Sequence, residues 1–326
     1  MSQQTTRPID PVVEEFTGDS LVKAAKRAFH ATRPKFFPAS VLPVLAGTAW
    51  GIMMTGRIDI LVFVLALVAT VCVQAAGNVL NDVGDDSIGT DPRNEKRIYP
   101  YTGGSRFIQT GILTKSKMTR LGTTLLIVAS LAGLILFMQR GPVVLLFGIA
   151  GIAIGVLYSL GPVKLSSLGL GEISVAVAFG VLPVSGAAWL QGAPIDTALL
   201  LFSVPVSIWV AFILLINEVP DMEADSACGK NTLPVRFGRT FTANLYLGGN
   251  IAAAAAVALL AGQRYLPLLA PLAPILLLVP AWRASAGIRV GVDNRESMTQ
   301  AIESTLAIHT VGCLWLTGCA LFNLWW

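Results

Sequence analysis

Apolar residues gather along this chain in nine charge-free runs, at roughly 36–56, 60–81, 121–138, 141–160, 173–194, 197–216, 240–263, 265–282 and 304–326. Each is close to the ~20 residues an α-helix needs to cross a hydrocarbon core. None shows the ten-residue alternation of a membrane β-strand. The pattern therefore predicts an all-α transmembrane protein, a nine-helix bundle whose backbone is satisfied within each segment. The polar first 35 residues carry no apolar h-region, so a cleaved signal peptide is not expected. The expected organisation is a cytoplasmic segment over 1–35 and one nine-span domain over 36–326.

Composition strengthens the membrane reading. The chain is 54% hydrophobic and 13% charged, where soluble domains carry about 25% charged residues. That is too little polar surface to cover so apolar a core in water. Charge placement then orients the spans. With the N-terminus in the cytoplasm, 20 of the 23 Lys and Arg fall inside, and only Arg57, Arg140 and Arg264 fall outside. The positive-inside rule favours that topology. It puts the C-terminus outside the inner (plasma) membrane.

Two connections, about 82–120 and 217–239, hold nine of the 19 acidic residues. Both follow an even-numbered span and so face the cytoplasm. The first opens Asn78-Val-Leu-Asn81-Asp82-Val-Gly-Asp85-Asp86 and continues through Gly89 to Asp91. The second reads Asn217-Glu218-Val-Pro-Asp221-Met-Glu-Ala-Asp225 and continues through Gly229-Lys230-Asn231-Thr232-Leu233. On a helix, residues four apart share a face, which pairs Asn81 with Asp85 and aligns Asn217, Asp221 and Asp225. Carboxylates crowded this way repel unless a cation sits among them. Mg2+ takes oxygen ligands and bridges one or two carboxylates to phosphates. Asn81, Asp85, Asp91, Asp221 and Asp225 are the expected metal ligands, with Asp82 beside them, and the two clusters would grip a diphosphate between them. Arg106, Lys164 and Lys230 are expected to add direct phosphate contacts.

These residues resemble the UbiA superfamily of intramembrane aromatic prenyltransferases. The likeness rests on Arg33-Pro34-Lys35, Asn81-Asp82-x-x-Asp85, Tyr158-Ser-Leu-Gly161-Pro162 and Gly169-Leu-Gly171-Glu172. It also rests on Asp221-x-x-x-Asp225 followed by Gly229-Lys230-x-Thr232-Leu233. The resemblance implies Mg2+-dependent transfer of a prenyl chain from a polyprenyl diphosphate to an acceptor in a cavity open to the lipid bilayer. Gly89 followed by Asp91, with the Gly229–Leu233 segment, looks most like the menaquinone branch, which prenylates 1,4-dihydroxy-2-naphthoate. Acceptors such as 4-hydroxybenzoate, homogentisate, a chlorin or a glycerol phosphate are the alternatives within the superfamily. Tyr158 is expected either to meet the acceptor or cation through its ring or simply to pack.

Outside enzymology the rival is a secondary transporter. Transporters place acidic residues near the bilayer midplane on broken helices, whereas these cluster at one face. Glu172 reads as a helix-start carboxylate favoured by the macrodipole. The glycine pairs read as close helix packing, and no nucleic-acid partner is expected.

Overall fold

The computed structural model describes residues 10–89, 94–159 and 164–323. Most of them lie in ten helices. These are α1 (Leu21–Ala31), α2 (Pro38–Thr55), α3 (Ile60–Ile88), α4 (Lys115–Arg140) and α5 (Val143–Ser159). After them come α6 (Gly171–Leu190), α7 (Thr197–Ala227), α8 (Leu233–Gly262), α9 (Leu278–Val290) and α10 (Arg295–Phe322). Among the described residues there is no strand, and seven stretches are long and apolar enough to cross a membrane. The last of the seven, Leu272–Phe322, contains both α9 and α10, and α5 is a shorter apolar helix.

The helix ends follow from local chemistry. Asp59, Thr114, Asp196 and Asn294 each accept a hydrogen bond from the backbone N–H three residues on, starting α3, α4, α7 and α10. Gly89, with φ of 90°, ends α3 in the left-handed region where a side chain would be strained. Two helices overrun their apolar runs. α3 continues past residue 81 to Ile88 and α7 past 216 to Ala227, so the start of each expected active-site loop is helical instead. Satisfied i-to-i+4 backbone bonds carry the helix beyond the lipid-soluble part of the sequence. The eighth run also differs. Its first residues, with Pro267 and Pro271, form turns because proline cannot donate to a helix, and α9 instead extends past Arg283 and Arg289.

α7 is the axis of the bundle. It packs against α2, α6, α8 and α10 and buries Phe202, Trp209, Leu215 and Ile216 in the main core. α4 and α5 instead expose Leu131, Leu134, Leu146, Ile149 and Ile152. An uncharged apolar face of that kind is tolerable only against lipid. α6 lies tight along α7, with a π-helical stretch at Ala176–Val181. A Cβ on Gly180 there would come within 2.4 Å of Ser207 Cα. The N-terminal segment is part of the fold. Phe16 and Ala31 form a small core with Val79, Phe107 and Met118, capping the end of α3.

Candidate active site

The carboxylates meet where the C-terminal ends of α3 and α7 emerge from the bundle. Asn81 Nδ2 donates to Asp85 Oδ2 at 2.7 Å, the contact expected of residues four apart on one helix face. Lys230, just after α7, donates to Asp85 Oδ1 at 2.8 Å and lies 3.8 Å from Asp225 Oδ1. It ties the two aspartate clusters together. Burial pulls the Lys230 pKa down, but the Asp85 and Asp225 carboxylates outweigh it and hold the ammonium above the ordinary lysine value.

The α3–α4 connection folds back over this junction. Asn94 Nδ2 donates to Asp221 Oδ1 at 2.6 Å, and the Ser105 backbone N–H donates to Asp82 Oδ2 at 2.9 Å. Gly103 and Gly104, with φ near 75°, allow the turn that aims the Ser105 N–H at Asp82. Pro220 lies inside α7 between Asn217 and Asp221. Lacking an N–H, it leaves the Ile216 carbonyl without its helical donor, a usual cause of local bending. Among the described residues, Asp82 Oδ1, Asn217 Oδ1 and Arg33 Nε are buried here without partners, and the Glu172 and Glu218 side chains meet each other.

The structure thus brings together Asn81, Asp82, Asp85, Asp221, Asp225 and Lys230. Tyr158, at the end of α5, feels the charges of Glu218, Glu172, Asp85 and Asp225, so it borders the same region. Arg106 is elsewhere engaged: its Nε lies 3.1 Å from Asp10 Oδ1, a carboxylate also gripped through both oxygens by Arg97 at 2.9 Å. Lys164 is exposed beside the turn Leu165–Ser167. Asp91 lies outside the described residues. Among the described residues no three His, Cys, Asp or Glu converge as a ready metal cage.

Residues 40–325 match the UbiA prenyltransferase family. The chain belongs to that family. It is 34% identical over 221 residues to the 1,4-dihydroxy-2-naphthoate octaprenyltransferase of Haemophilus influenzae, covering 65% of this chain and 70% of that one. It is 33% identical to the Escherichia coli protein of the same name, over 66% of this chain and 71% of the other. The fold is also that of a UbiA homolog from Archaeoglobus fulgidus solved with DMAPP and Mg2+. The TM-score is 0.62 at 16% identity, over 87% of this chain and 99% of that one. This UbiA protein is a multi-pass membrane prenyltransferase.

Three features of the UbiA site were not assigned from the sequence. Arg33 was noted only as part of a motif, yet its charge acts on both Asp82 and Asp221. Asn94 reaches Asp221 across 127 positions, and no local spacing marks it. Glu172 stands in the first turn of α6 as a helix-start carboxylate and in addition meets Glu218 of α7, a contact that no local spacing marks.

Proposed function

We propose that this UbiA enzyme transfers a polyprenyl chain from its diphosphate to 1,4-dihydroxy-2-naphthoate, with Mg2+, in menaquinone biosynthesis. The observation that carries the reading is the Lys230 bridge between Asp85 and Asp225, which places one cation and two carboxylate clusters at a single mouth of the bundle. The names of the Haemophilus influenzae and Escherichia coli relatives support the acceptor.

The donor set suits Mg2+. It offers hard oxygens, and among the described residues Asp82 Oδ1 and Asn217 Oδ1 are buried without partners. The lack of a self-sufficient cage among the described residues fits an ion that takes one or two carboxylates and completes its shell with waters and phosphate oxygens. Asn81, Asp85, Asp221 and Asp225 would hold it, with Asp91 as a further ligand. When bound, the ion would neutralise charge on the departing diphosphate.

The chain's own residues would do the rest. Lys230 is placed to hold the diphosphate directly, Lys164 from the exposed rim, and Arg106 once Asp10 releases it. Asp82, held by the Ser105 N–H, would fix the end of α3 against the covering loop. As the bond from the allylic carbon to the diphosphate oxygen breaks, positive charge grows on that carbon. The Tyr158 ring would face it, and the apolar helices would keep water away. The electron-rich acceptor ring then attacks.

The test is purified protein in nanodiscs with Mg2+, octaprenyl diphosphate and a panel of acceptors, read by mass spectrometry. A prenylated naphthohydroquinone, formed with loss of CO2 and abolished by EDTA, is the expected product. Product from 4-hydroxybenzoate, homogentisate, a chlorin or a glycerol phosphate alone would overturn the acceptor assignment.

The site is placed on the cytoplasmic face of the plasma membrane, with the N-terminus inside and the C-terminus outside, because basic residues concentrate on the site side. Gln3→Cys and Trp326→Cys should label from opposite sides in intact cells. Labelling of both from one side would refute this topology.

A further inference from the structure

α1 is held to the fold by its polar side and leaves its apolar side uncovered. Lys23 donates to the Glu15 carbonyl at 2.7 Å, and Lys26 pairs with the Glu15 carboxylate at 2.8 Å. Arg27 Nη1 donates to the Phe16 and Gly18 carbonyls at 2.7 and 2.8 Å. Leu21 and Val22, by contrast, are 88% and 77% exposed, and Phe29, seven residues from Val22 on the same stripe, is exposed too. A helix divided in this way lies in the membrane interface with its apolar stripe at the acyl boundary.

α4 fixes the level of that interface. Its exposed Leu126, Ile127, Leu131 and Leu134 face lipid. The charges that precede this stretch, Lys115, Lys117 and Arg120, mark the headgroup layer.

Between α1 and the start of α4 lies a groove of about 240 Å3, lined by Ala24, Arg27, Ala28, Leu113, Lys117 and Leu121. Four of these residues are apolar, two are cations and none is acidic. Lys117 is exposed, and among the described residues its ammonium has no partner. Only Nη1 of Arg27 is engaged in hydrogen bonds there, which leaves the rest of the guanidinium fork available. Two cations over an apolar floor at headgroup depth complement an anionic phosphate carried on acyl chains. Residues 1–9 do not complement the groove, since they include Arg7 and no acidic residue.

We propose that this groove binds an anionic phospholipid of the surrounding leaflet. Arg27 donates to the phosphate oxygens from its planar fork, and Lys117 adds a point charge. The acyl chains descend past Leu121 along the lipid-facing side of α4. The bound lipid ties α1 to α4, and that tie reaches further. Ala31 of α1 shares a small core with Phe16, Val79, Phe107 and Met118, and Asp10 upstream grips Arg97 and Arg106. Holding α1 therefore holds the N-terminal segment over the end of α3, beside the aspartate cluster.

The test places the full chain in nanodiscs of phosphatidylcholine alone and of phosphatidylcholine with a quarter phosphatidylglycerol, and reads Tm. Phosphatidylglycerol should raise Tm by about 3 °C or more, as a ligand of the folded state does. Lys117→Gln should match wild type in phosphatidylcholine, because the side chain it alters is exposed and unbonded. It should lose about half of the rise, and Lys117→Glu all of it. Arg283→Gln removes another exposed cation, on α9, which packs on α8 and α10. That variant should keep the full rise. In native mass spectra, retention of phosphatidylglycerol over phosphatidylcholine should fall about fivefold in Lys117→Gln, the scale of one cation at an anionic surface.

No rise in wild type, an undiminished rise in Lys117→Glu, or an equal loss in Arg283→Gln would each overturn the proposal. An equal rise from inorganic phosphate added to phosphatidylcholine discs would assign the groove to a free anion and overturn it as well. So would a dimer in phosphatidylcholine that Lys117→Glu dissociates, since the occupant would then be a second copy of the chain. If Lys117→Glu fails to fold, Lys117→Gln and the native spectra decide.

Discussion

At the end of the bundle where α3 begins, Asp59 is fully engaged. Its carboxylate accepts from the Val62 N–H at 3.1 Å and from Arg140 Nη2 at 2.7 Å. Its backbone N–H donates to Gln191 Oε1 at 2.8 Å, and Arg140 Nε donates to the Leu190 carbonyl at 2.9 Å. At the opposite end, where α3 and α7 finish, Asp82 and Asn217 keep buried oxygens without partners among the described residues. The same chemistry, carboxylates at the edge of an apolar bundle, is used in two ways. One end is closed on itself and contributes to holding three helix ends together. The other carries unmet hydrogen-bonding capacity, which costs stability unless a ligand supplies the missing partners. Charged residues stand at both ends, and under the function proposed above the unsatisfied end is the working one.

The sharpest way to break this comparison is to remove the acidic groups at the open end. Asp85→Ala and Asp221→Ala should each lower turnover by more than about 100-fold, the scale of losing one electrostatic group that stabilises developing charge. Tm in detergent should change little, because neither carboxylate is part of the apolar core. Near-normal turnover in either variant would place the chemistry elsewhere.

Lys230 tests whether the two clusters act as one. Lys230→Met removes the bridge to Asp85 and Asp225, and turnover should fall about 10- to 100-fold, the range for a charge-assisted hydrogen bond. The sign of the pH dependence follows from its raised pKa. A lysine held above its ordinary value of 10.5 contributes stability below that value and loses it as pH rises through the higher folded value. The Tm gap between wild type and Lys230→Met should therefore be present from about pH 8 to 9 and close only in stronger base. Absence of a gap in that window would mean the ammonium is not held by the carboxylates.

Much of this arrangement was legible from spacing alone. Asn81 and Asp85 stand four apart and do touch, and the two acidic runs do converge with Lys230. What local pattern could not supply was contact across the fold. Asn94 meets Asp221 only because the α3–α4 connection folds over α7, and Arg106 meets Asp10 only because the N-terminal segment packs against that connection. Glu172 was legible only in part. A first-turn carboxylate belongs to its own helix end, as Glu172 does at the start of α6, but its meeting with Glu218 comes from the packing of α6 on α7, which no local spacing marks. The loop boundaries erred because apolar runs report where lipid ends, whereas helices end where backbone hydrogen bonding is capped.

The smallest effect on activity is expected at the closed end, and it separates the two functions of Asp59. Asp59→Ala removes both the helix cap and the ion pair with Arg140. Asp59→Asn keeps a good cap and loses only the charge. Exposed ion pairs contribute little, so most of the Tm loss seen in the alanine variant should be absent in the asparagine variant. Turnover per folded molecule should stay within about two-fold of wild type in both, since this end makes no contribution to transition-state charge. The pH behaviour carries its own sign. The Val62 N–H and then Arg140 hold the Asp59 pKa below the ordinary value of 3.8, so its contribution is present above that value and lost as pH falls through the lower folded value. The Tm deficit of Asp59→Ala should accordingly be constant across neutral and mildly acidic pH and shrink only in strong acid. A tenfold loss of turnover in Asp59→Asn at unchanged Tm would show that the far end communicates with the site, and the division of the bundle into one structural end and one working end would fall.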